Sequence, residues 1–311
     1  MPRFDVTIAG ELNLDLILYD LPDQLPPERE LITNRMMLTL GSSSAIVAHN
    51  LAALGSRVGF QSRIGDDSFG QTALERLKEG GVDVSRVRKV SSSTKTALSV
   101  ILQREHWRNI LTYAGTIVDL TLDDLDFEFL IDSRHFHLSS FYLQKGLTAS
   151  VPELFRKIKE AGLTISLDTN DDPDDRWEGQ LLEALQYVDV FLPNAREAKK
   201  AARTDDLELA IAKLAEIVPL VVVKLGAEGA LAQRGEERIK SAALKVDFVD
   251  PVGAGDSFDA GFLHQFVQGA DLRTCLESGN RAGAFSTTRP GGTEAFRDKR
   301  YLREFFTAVC A

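Results

Sequence analysis

The sequence predicts an α/β protein whose mostly parallel sheet is flanked by helices on both faces. Short apolar runs alternate with segments of helical periodicity along most of the 311 residues, as is typical of parallel sheets. The run VVV before Lys224 is apolar on both faces, as a central strand requires. Because no Ser/Gly-rich linker divides the chain, we expect a single domain over 1–311.

The elements are predicted in the following order. The chain opens with a strand at 4–10 and a helix at 46–55 that ends at Gly55. A strand at 56–65 and a helix at 68–81 follow. Beyond residue 130, strands are predicted at 135–139, 164–168, 189–194 and 218–226, with helices at 151–162, 181–188 and 205–217. This order favours a doubly wound sheet.

One stretch, TKTALSVILQREHWRNILTYAG (94–115), interrupts the alternation. It predicts two strands joined by a polar turn near 104–109, that is, a β-hairpin. The segment 12–40 is irregular and contains three prolines, and we expect it to join the hairpin in a small β-strand lid. The apolar alternation of the lid strands favours a homodimer contact. The turn residues that can close over a substrate or lie in that contact are Arg104, His106, Trp107 and Arg108.

The composition narrows the classes of partner. Lysine and arginine total 36 against 46 aspartates and glutamates, a net charge of −10 that argues against a nucleic-acid partner. Cys275 and Cys310 form no CxxC pair, so neither a disulfide framework nor a structural zinc site is expected. The early apolar run is broken by Glu11, Asn13 and Asp15 and is too short for a membrane segment. We therefore expect a cytoplasmic protein without a membrane partner.

The stretch DPVGAGDSFDAGFL (250–263) predicts an anion site at the start of a helix. One face of that helix carries Phe258, Phe262 and Phe266. The glycines let the backbone approach a ligand, and the free N–H groups of the first turn favour an anion. Asp256 then has two interpretations. It is either a helix cap or a base placed beside a phosphate.

The same stretch closely resembles the C-terminal signature of the ribokinase-like (PfkB-type) carbohydrate kinases, D-T-x-G-A-G-D-x-F-x-x-G. Four further segments resemble family motifs in the expected order: GELNLDLIL, GSSSAIVAHNLAALG followed by IGDDSFG, LPNAREAK, and VVVKLGAEGA. The resemblance covers nearly the whole chain. It implies a ribokinase-like fold and ATP-dependent phosphorylation of a sugar hydroxyl, in particular a primary CH2OH.

The resemblance also implies roles for the matching residues. Asp256 would be the catalytic base, and the amides of Gly253, Ala254 and Gly255 would form the anion hole. The sugar-binding residues would be Asn13, Asp15, Gly41, Ser42, Ser43 and Ser139. A carboxylate such as Asp15 can accept hydrogen bonds from two neighbouring hydroxyls. The alternative for this segment is a solvated turn after the first strand.

On the nucleotide side, the resemblance implies ATP and Mg²⁺. The residues in contact with ATP would be Asn194, Lys224, Gly226, Gly229, Gly253, Gly255 and Asn280. Asn194 and Glu197 would organise Mg²⁺ through water, but N-x-x-E is also a common capping box. Lys224 is either a phosphate contact or a lysine whose ammonium reaches the surface. A K⁺ site would be formed at Asp250, Val252, Ser286, Arg289 and Gly291.

Two motifs depart from the family pattern. Ser42 and Ile46 stand where the N-terminal signature has its second glycine and its asparagine, two positions that border the sugar pocket in relatives. In SLDTNDDPDDRW (166–177), Asp172 stands where fructokinases and ketodeoxygluconate kinases often have an arginine. Since arginine suits an anionic substrate, the acidic cluster favours a neutral substrate, a sugar or a nucleoside, over a sugar acid or sugar phosphate, although a solvated loop explains it equally well.

Three functions remain open at this level. The leading one is an ATP-dependent kinase acting on a neutral sugar. A nucleoside (adenosine-like) kinase of the same fold would need an aromatic clamp, for which Phe141, Tyr142 and Trp107 are candidates. The third is a non-catalytic sugar or nucleotide binder with a regulatory role, which the departures at Ser42 and Ile46 keep open.

Overall fold

The computed structural model describes residues 1–91, 93–104 and 107–308 and confirms the predicted α/β architecture. His106 and Cys310, named above, lie outside these ranges. The strands are β1 (Val6–Ala9), β2 (Leu14–Leu18), β3 (Met36–Leu40), β4 (Val58–Gly65), β5 (Asp83–Val90), β6 (Leu98–Gln103), β7 (Arg108–Tyr113), β8 (His135–Ser139), β9 (Thr164–Asp168), β10 (Val190–Phe191), β11 (Leu220–Lys224), β12 (Ala230–Arg234) and β13 (Glu237–Ser241). The helices are α1 (Ser43–Ala53), α2 (Ser68–Glu79), α3 (Phe127–Ile131), α4 (Lys145–Thr148), α5 (Val151–Glu160), α6 (Leu181–Leu185), α7 (Ala195–Ala201), α8 (Leu207–Ala215), α9 (Ala254–Phe266), α10 (Leu272–Ser286), α11 (Glu294–Arg297) and α12 (Lys299–Ala308). None of the described helices is long and apolar enough to cross a membrane.

Nine strands form the main sheet, in the order β13-β12-β11-β10-β9-β8-β1-β4-β5. The seven strands from β11 to β5 run parallel, whereas β12 and β13 extend one edge as antiparallel strands. The sequence interpretation missed β5, β12 and β13. Two of them, β5 and β13, are edge strands of exposed and partly buried residues, so they lack the continuous apolar run that marked the inner strands.

Two predicted elements differ in length from the observed ones. Helix α1 begins at Ser43, three residues before the predicted start, because Ser42 caps it and accepts from the N–H of Ala45 at 3.1 Å. Strand β10 spans Val190–Phe191 only, whereas the apolar run predicts a strand over 189–194. Pro193 follows closely and has no N–H with which to continue the ladder.

A second sheet of four strands stands beside the main one, in the order β3-β2-β6-β7, and is called the small sheet below. It joins the segment 12–40 to the hairpin of 94–115, because β2 pairs with β3 on one side and with β6 on the other. Ile17, Tyr19 and Ile101 of this sheet region pack against Val252. This contact brings the small sheet to the turn that precedes α9.

Helix α9 lies along one face of the main sheet. Its phenylalanines Phe258, Phe262 and Phe266 form a stack, with successive ring centroids 6.2 and 6.1 Å apart, which confirms the predicted apolar face. Phe266 contacts His135 at the start of β8, whereas Asp259 reaches Lys224 at the end of β11. The N-terminus of α9 therefore points to the edge where the parallel strands end.

A chain of hydrogen bonds lies buried between β8 and β9. It runs Thr164–His135–Ser166–His137–Ser139 through the side chains, and each of its four links is 2.7 Å long. Burial lowers the pKa of both histidines to about 3, so that they are neutral at physiological pH. Every ring nitrogen has a hydroxyl partner, so both histidines are satisfied within the core.

Candidate active site

The turn before α9 has the form expected of an anion site. Gly253 has φ of +72°, and a Cβ on it would lie 2.5 Å from the Cα of Gly292, so only glycine fits. The amide of Ala254 donates to the carbonyl of Pro251 at 3.2 Å and is engaged within the turn. The backbone of the described residues supplies no acceptor for the N–H of Gly255. The N–H of Gly253 likewise has no backbone acceptor among these residues, so two of the three predicted amides, those of Gly253 and Gly255, are available to a phosphoryl oxygen.

Asp256 is half-buried in the first turn of α9 and holds two side-chain hydrogen bonds. Ser43 donates its hydroxyl to Oδ1 at 2.5 Å, and Asn170 supplies the second bond. Burial raises the pKa of Asp256 and the charge of Asp168 adds to this, while the two donors oppose it. The helix has no side-chain cap, so the capping alternative for Asp256 is not what the structure shows.

Asp15 of β2 faces Asp256 from the small sheet. Asn13 donates to its Oδ1 at 3.3 Å, and a Cβ on Gly41 would lie 2.1 Å from that oxygen, so the glycine makes room for the carboxylate. Burial, followed by the charge of Asp256, raises the pKa of Asp15 to about 7. We call the space between Asp15 and Asp256, to which Asn13, Gly41 and Ser43 also belong, the acceptor pocket.

The other predicted sugar-binding hydroxyls have partners elsewhere. Ser42 donates to the carbonyl of Glu11 while it caps α1. Ser44, the next serine but one, donates to the Glu11 carboxylate at 2.6 Å. Ser139 is fully buried, and its hydroxyl is bonded to Nε2 of His137. The structure therefore brings Ser43 to the acceptor pocket and leaves Ser139 outside it.

Lys224 lies close to the anion turn. Its Nζ lies 2.6 Å from Oδ2 of Asp168 and 3.1 Å from Oδ2 of Asp259, with 11% of the side chain exposed, so it does not reach the surface. Burial opposes the charge of Lys224, but the two carboxyls outweigh it and raise the pKa of the ammonium. A Cβ on Gly255 would lie 3.7 Å from Nζ, so the ammonium lies close to Gly255.

The pKa values of the two carboxyls that contact Lys224, those of Asp168 and Asp259, are shifted in opposite directions. Burial alone would raise the pKa of Asp168, but the charge of Lys224 and the hydrogen bonds from its neighbours lower it. Burial raises the pKa of Asp259 well above its ordinary value, and the charge of Asp168 adds to this. Lys224 contacts both carboxyls, and each carboxyl also affects the pKa of the other.

Asn194 and Glu197 form a reciprocal cap at the start of α7. Oδ1 of Asn194 accepts from the N–H of Glu197 at 2.9 Å, and Oε2 of Glu197 accepts from the N–H of Asn194 at 2.7 Å. Burial, followed by the charge of Asp168, raises the pKa of Glu197 to about 7. Asn194 and Glu197 thus form a capping box. The Glu197 carboxyl, with its raised pKa, also lies near the carboxylate of Asp168.

The remaining nucleotide-side residues meet at one backbone segment. Gly226 and Gly229 have φ of +60° and +94°, and a Cβ on Gly229 would lie 2.0 Å from the carbonyl oxygen of Ser241. Asn280 of α10 donates to that same carbonyl at 3.1 Å and to that of Ala242 at 3.2 Å. Gly229 and Asn280 therefore meet at the same backbone carbonyl, and Gly226 stands three residues before Gly229 in the same turn.

Asp250 joins the small sheet to the anion turn. Its Oδ2 accepts from the hydroxyl of Tyr19 at 2.7 Å and from the N–H of Gly291 at 3.0 Å, and its Oδ1 accepts from Val252 at 2.9 Å. Ser286 is buried at the end of α10. The guanidinium of Arg289 donates a hydrogen bond to Asp298 at 2.9 Å. The structure thus brings three of the five predicted cation-site residues together.

The acidic cluster at 171–175 does not face the acceptor pocket. The prediction of a neutral substrate assumed that it did, so that argument fails. Asp172 is 6% exposed and caps its own loop, because its carboxylate accepts from the N–H groups of Asp174, Arg176 and Trp177. Asp175 pairs with Lys200 at 3.0 Å. The cluster therefore carries no information on the charge of the substrate.

The sequence interpretation missed three side chains of the site: Asp168, Asn170 and Asp259. All three stand in segments that were quoted, SLDTN and GDSFDAG. The position of Asp168 and Asn170 at the end of a parallel strand is a usable signal, because such ends line the ligand crevice of α/β sheets. Asp259 gave no comparable signal, since an aspartate in a helix is usually exposed.

Comparison with known proteins decides the family. Residues 3–299 match the model described as pfkB family carbohydrate kinase. This chain belongs to the PfkB family of carbohydrate kinases. The kinase is 31% identical over 291 residues to the ATP-dependent ribose-1-phosphate kinase of Halopiger xanaduensis, a match that covers 93% of this chain and 94% of that protein.

Two further comparisons widen the range of acceptors among relatives of this kinase. A nucleoside kinase of Methanothermobacter thermautotrophicus is 27% identical, over 98% of this chain and 96% of its own. An Escherichia coli chain described as a ribokinase II, solved in complex with ATP and Mg²⁺, superposes with a TM-score of 0.84 at 25% identity, over 98% of this chain and 99% of its own. The ribokinase-like fold is thereby confirmed.

Proposed function

We propose that this kinase transfers the γ-phosphoryl group of ATP to a hydroxyl, in particular a primary CH2OH, of a neutral sugar. The observation that carries the proposal is the convergence of Asp15 and Asp256 on one pocket, with the Lys224 ammonium close to Gly255. Carboxylates accept hydrogen bonds from hydroxyls, whereas an ammonium and a free amide stabilise the charge of a phosphoryl group.

Each residue then has one task in the reaction. Asp15 orients the acceptor by accepting hydrogen bonds from its hydroxyls. Asp256 takes the proton of the attacking hydroxyl as its oxygen bonds to the γ-phosphorus, and the bond from that phosphorus to the bridging oxygen breaks to release ADP. The amide of Gly255 holds a phosphoryl oxygen, and the charge of Lys224 offsets the negative charge that gathers there.

The donor set near α7 suits Mg²⁺. Asn194 and Glu197 supply oxygen atoms, and burial, followed by the charge of Asp168, raises the pKa of Glu197, so a divalent cation would favour the ionised form of this carboxyl. The ion would neutralise charge on the ATP phosphates. Asp250, with the backbone at Val252 and Gly291, is our candidate position for an activating K⁺.

Two observations favour a neutral sugar over the alternatives. The charge of Asp256 already raises the pKa of Asp15, so an anionic acceptor would bring a third negative charge into the pocket. For a nucleoside, the predicted clamp is missing two members, because Phe141 and Tyr142 pack in the core beside Trp177. The intact Asp256 site with its buried Lys224 also argues against a non-catalytic binder.

We further propose that the small sheet is the lid of the acceptor pocket and a dimer contact. All six residues of its edge strand β7 are exposed, and Leu111 and Tyr113 expose 59% and 54% of their area. A second copy of the chain would cover this edge. We expect sedimentation equilibrium to give a dimer for the wild type and a monomer for Leu111→Asp, with the same melting temperature. A monomeric wild type at tens of micromolar protein would contradict the contact.

The function is tested by ADP release against a panel of acceptors in the presence of Mg·ATP. The panel contains pentoses, hexoses, ketoses, nucleosides, sugar acids and sugar phosphates, and each arm is run with K⁺ or Na⁺ and with EDTA as the blank. We expect turnover on a neutral sugar, in line with a kinase working in the ATP-containing cytoplasm. Turnover confined to acids or phosphates would point instead to Arg108, the cation of β7 whose charge acts on Asp15.

A further inference from the structure

The carboxylate of Asp256, the proposed base, receives hydrogen bonds from two elements. Neither donor takes part in the transfer step itself. From the first turn of α1, Ser43 donates to Oδ1 of Asp256 at 2.5 Å. From the end of β9, Asn170 bonds to the same carboxylate. Oδ1 of Asn170 accepts from the N–H of Ser140 at 3.1 Å, so its NH2 group is the end that faces Asp256. Two neutral donors therefore converge on one carboxylate.

The backbone near the two donors holds them in place. Asn170 has φ of +52° and Ser140 has φ of +54°, left-handed conformations that stand side by side at the ends of β9 and β8. Ser140 also bonds to the carboxyl of Glu11, which is fully buried and accepts from Ser44 of α1. Since Ser44 adjoins Ser43, the Glu11 carboxyl connects the two segments that carry the donors.

The two donors, together with the charge of Lys224, oppose the tendency of the base to take up a proton. Burial and the charge of Asp168 both favour the protonated form of Asp256, and a protonated acid cannot act as a base. A hydrogen bond to an ionised group is stronger than one between neutral groups, so each donor favours the carboxylate over the acid. Without them, Asp256 would be protonated over a larger part of the pH range.

We infer that Ser43 and Asn170 are positioning residues, which keep the Asp256 carboxylate ionised and directed at the acceptor hydroxyl. The inference rests on the proposed function, because it assigns the two residues to the base of that reaction. It also gives the serine run GSSS a purpose in this chain, with Ser42 capping the helix and Ser43 serving the base.

The test is the acid limb of the pH profile of kcat/KM, which reports the base in the free enzyme. We expect Ser43→Ala to move this limb upward by about one pH unit, the size of a hydrogen bond to a charged group. Ser43→Thr keeps the hydroxyl and should restore the wild-type limb. Ser42→Ala is the matched control, since it removes the cap of α1 and should lower the melting temperature without moving the limb.

Asn170 is tested with variants that respect its backbone. Asn170→Gly accepts the positive φ while it removes the amide, and we expect an upward shift similar to that of Ser43→Ala. Asn170→Asp places a second negative charge beside Asp256 and should shift the limb further. Because burial raises the pKa of both Asp15 and Glu197 to about 7, the comparison is repeated in the Asp15→Asn background. The shift is read against that parent, in which Glu197 is unchanged.

The outcomes separate this inference from the proposed function. If Asp256→Asn is inactive but Ser43→Ala and Asn170→Gly, both folded by circular dichroism, keep the wild-type limb, the positioning role is overturned and the base role stands. If Asp256→Asn retains wild-type turnover, the proposed function fails first. An upward shift in both variants, reversed by Ser43→Thr, supports the inference.

Discussion

Asp256→Asn is expected to lower kcat by about 10³-fold while the protein stays folded, which is the range for loss of a general base. Asparagine has the shape of aspartate and still accepts the bond from Ser43, but it takes no proton. Because burial raises the pKa of Asp256, the ionised carboxylate weakens the fold at neutral pH. The melting temperature of the variant should therefore equal or exceed that of the wild type. Initial rates with the best acceptor and a thermal melt measure both effects.

The matched control lies one turn further along the same helix. Asp259 contacts Lys224, and burial raises the pKa of its carboxyl well above the ordinary value. Asp259→Asn keeps the shape of the side chain and leaves Asp168 paired with Lys224. We expect this variant to lose less than about tenfold in kcat, far from the loss expected of a base. Equal losses in the two variants would show that the position of a carboxyl on α9, and not its ionisation, determines the rate.

Lys224→Met is expected to be the most destabilising single change at the site. It leaves the ionised Asp168 buried without its cation, at a cost of about 3–5 kcal/mol in the free energy of unfolding. Without the lysine, burial raises the pKa of Asp168, so the carboxyl takes up a proton as the pH falls and the loss is smaller at pH 6 than at pH 8. The charge close to Gly255 also disappears, and we expect kcat to fall by about 10²-fold. Urea unfolding at both pH values and initial rates measure these effects.

Two companion variants make this expectation specific. Lys200→Met removes a lysine whose ion pair with Asp175 is exposed, and it should cost less than about 1 kcal/mol. Adding Asp168→Asn to Lys224→Met removes the unpaired charge and should recover stability without recovering kcat. A loss for Lys224→Met as small as that for Lys200→Met would mean that the buried network does not stabilise the fold.

Sequence reasoning was sufficient for the fold and for the position of the anion turn, because both depend on local patterns. Strand and helix periodicity, glycines ahead of an amphipathic run and the order of five motifs need no knowledge of distant contacts. The edge strands β5 and β13 were missed for a related reason. Their residues pack on one side only, so they leave a weak apolar pattern.

The sequence did not predict which residues the charged side chains contact. Lys224 is paired with Asp168 and Asp259, which lie 56 and 35 residues away in the chain, and no local pattern joins them. Asp172 shows the opposite error. It stands near a strand end, where a substrate contact is common, yet its carboxylate turns back to satisfy the N–H groups of its own loop.

The hydrogen-bond chain buried between β8 and β9 couples the tautomers of His135 and His137. Ser166 has a single hydrogen to donate and stands between Nε2 of His135 and Nδ1 of His137. A neutral imidazole carries one N–H, so the choice made at Ser166 fixes the tautomer of both rings. The chain therefore has two orientations, one with both rings protonated at Nε2 and one with both protonated at Nδ1. In the first, His137 donates to Ser139, and the hydrogen of that serine takes no part in the chain.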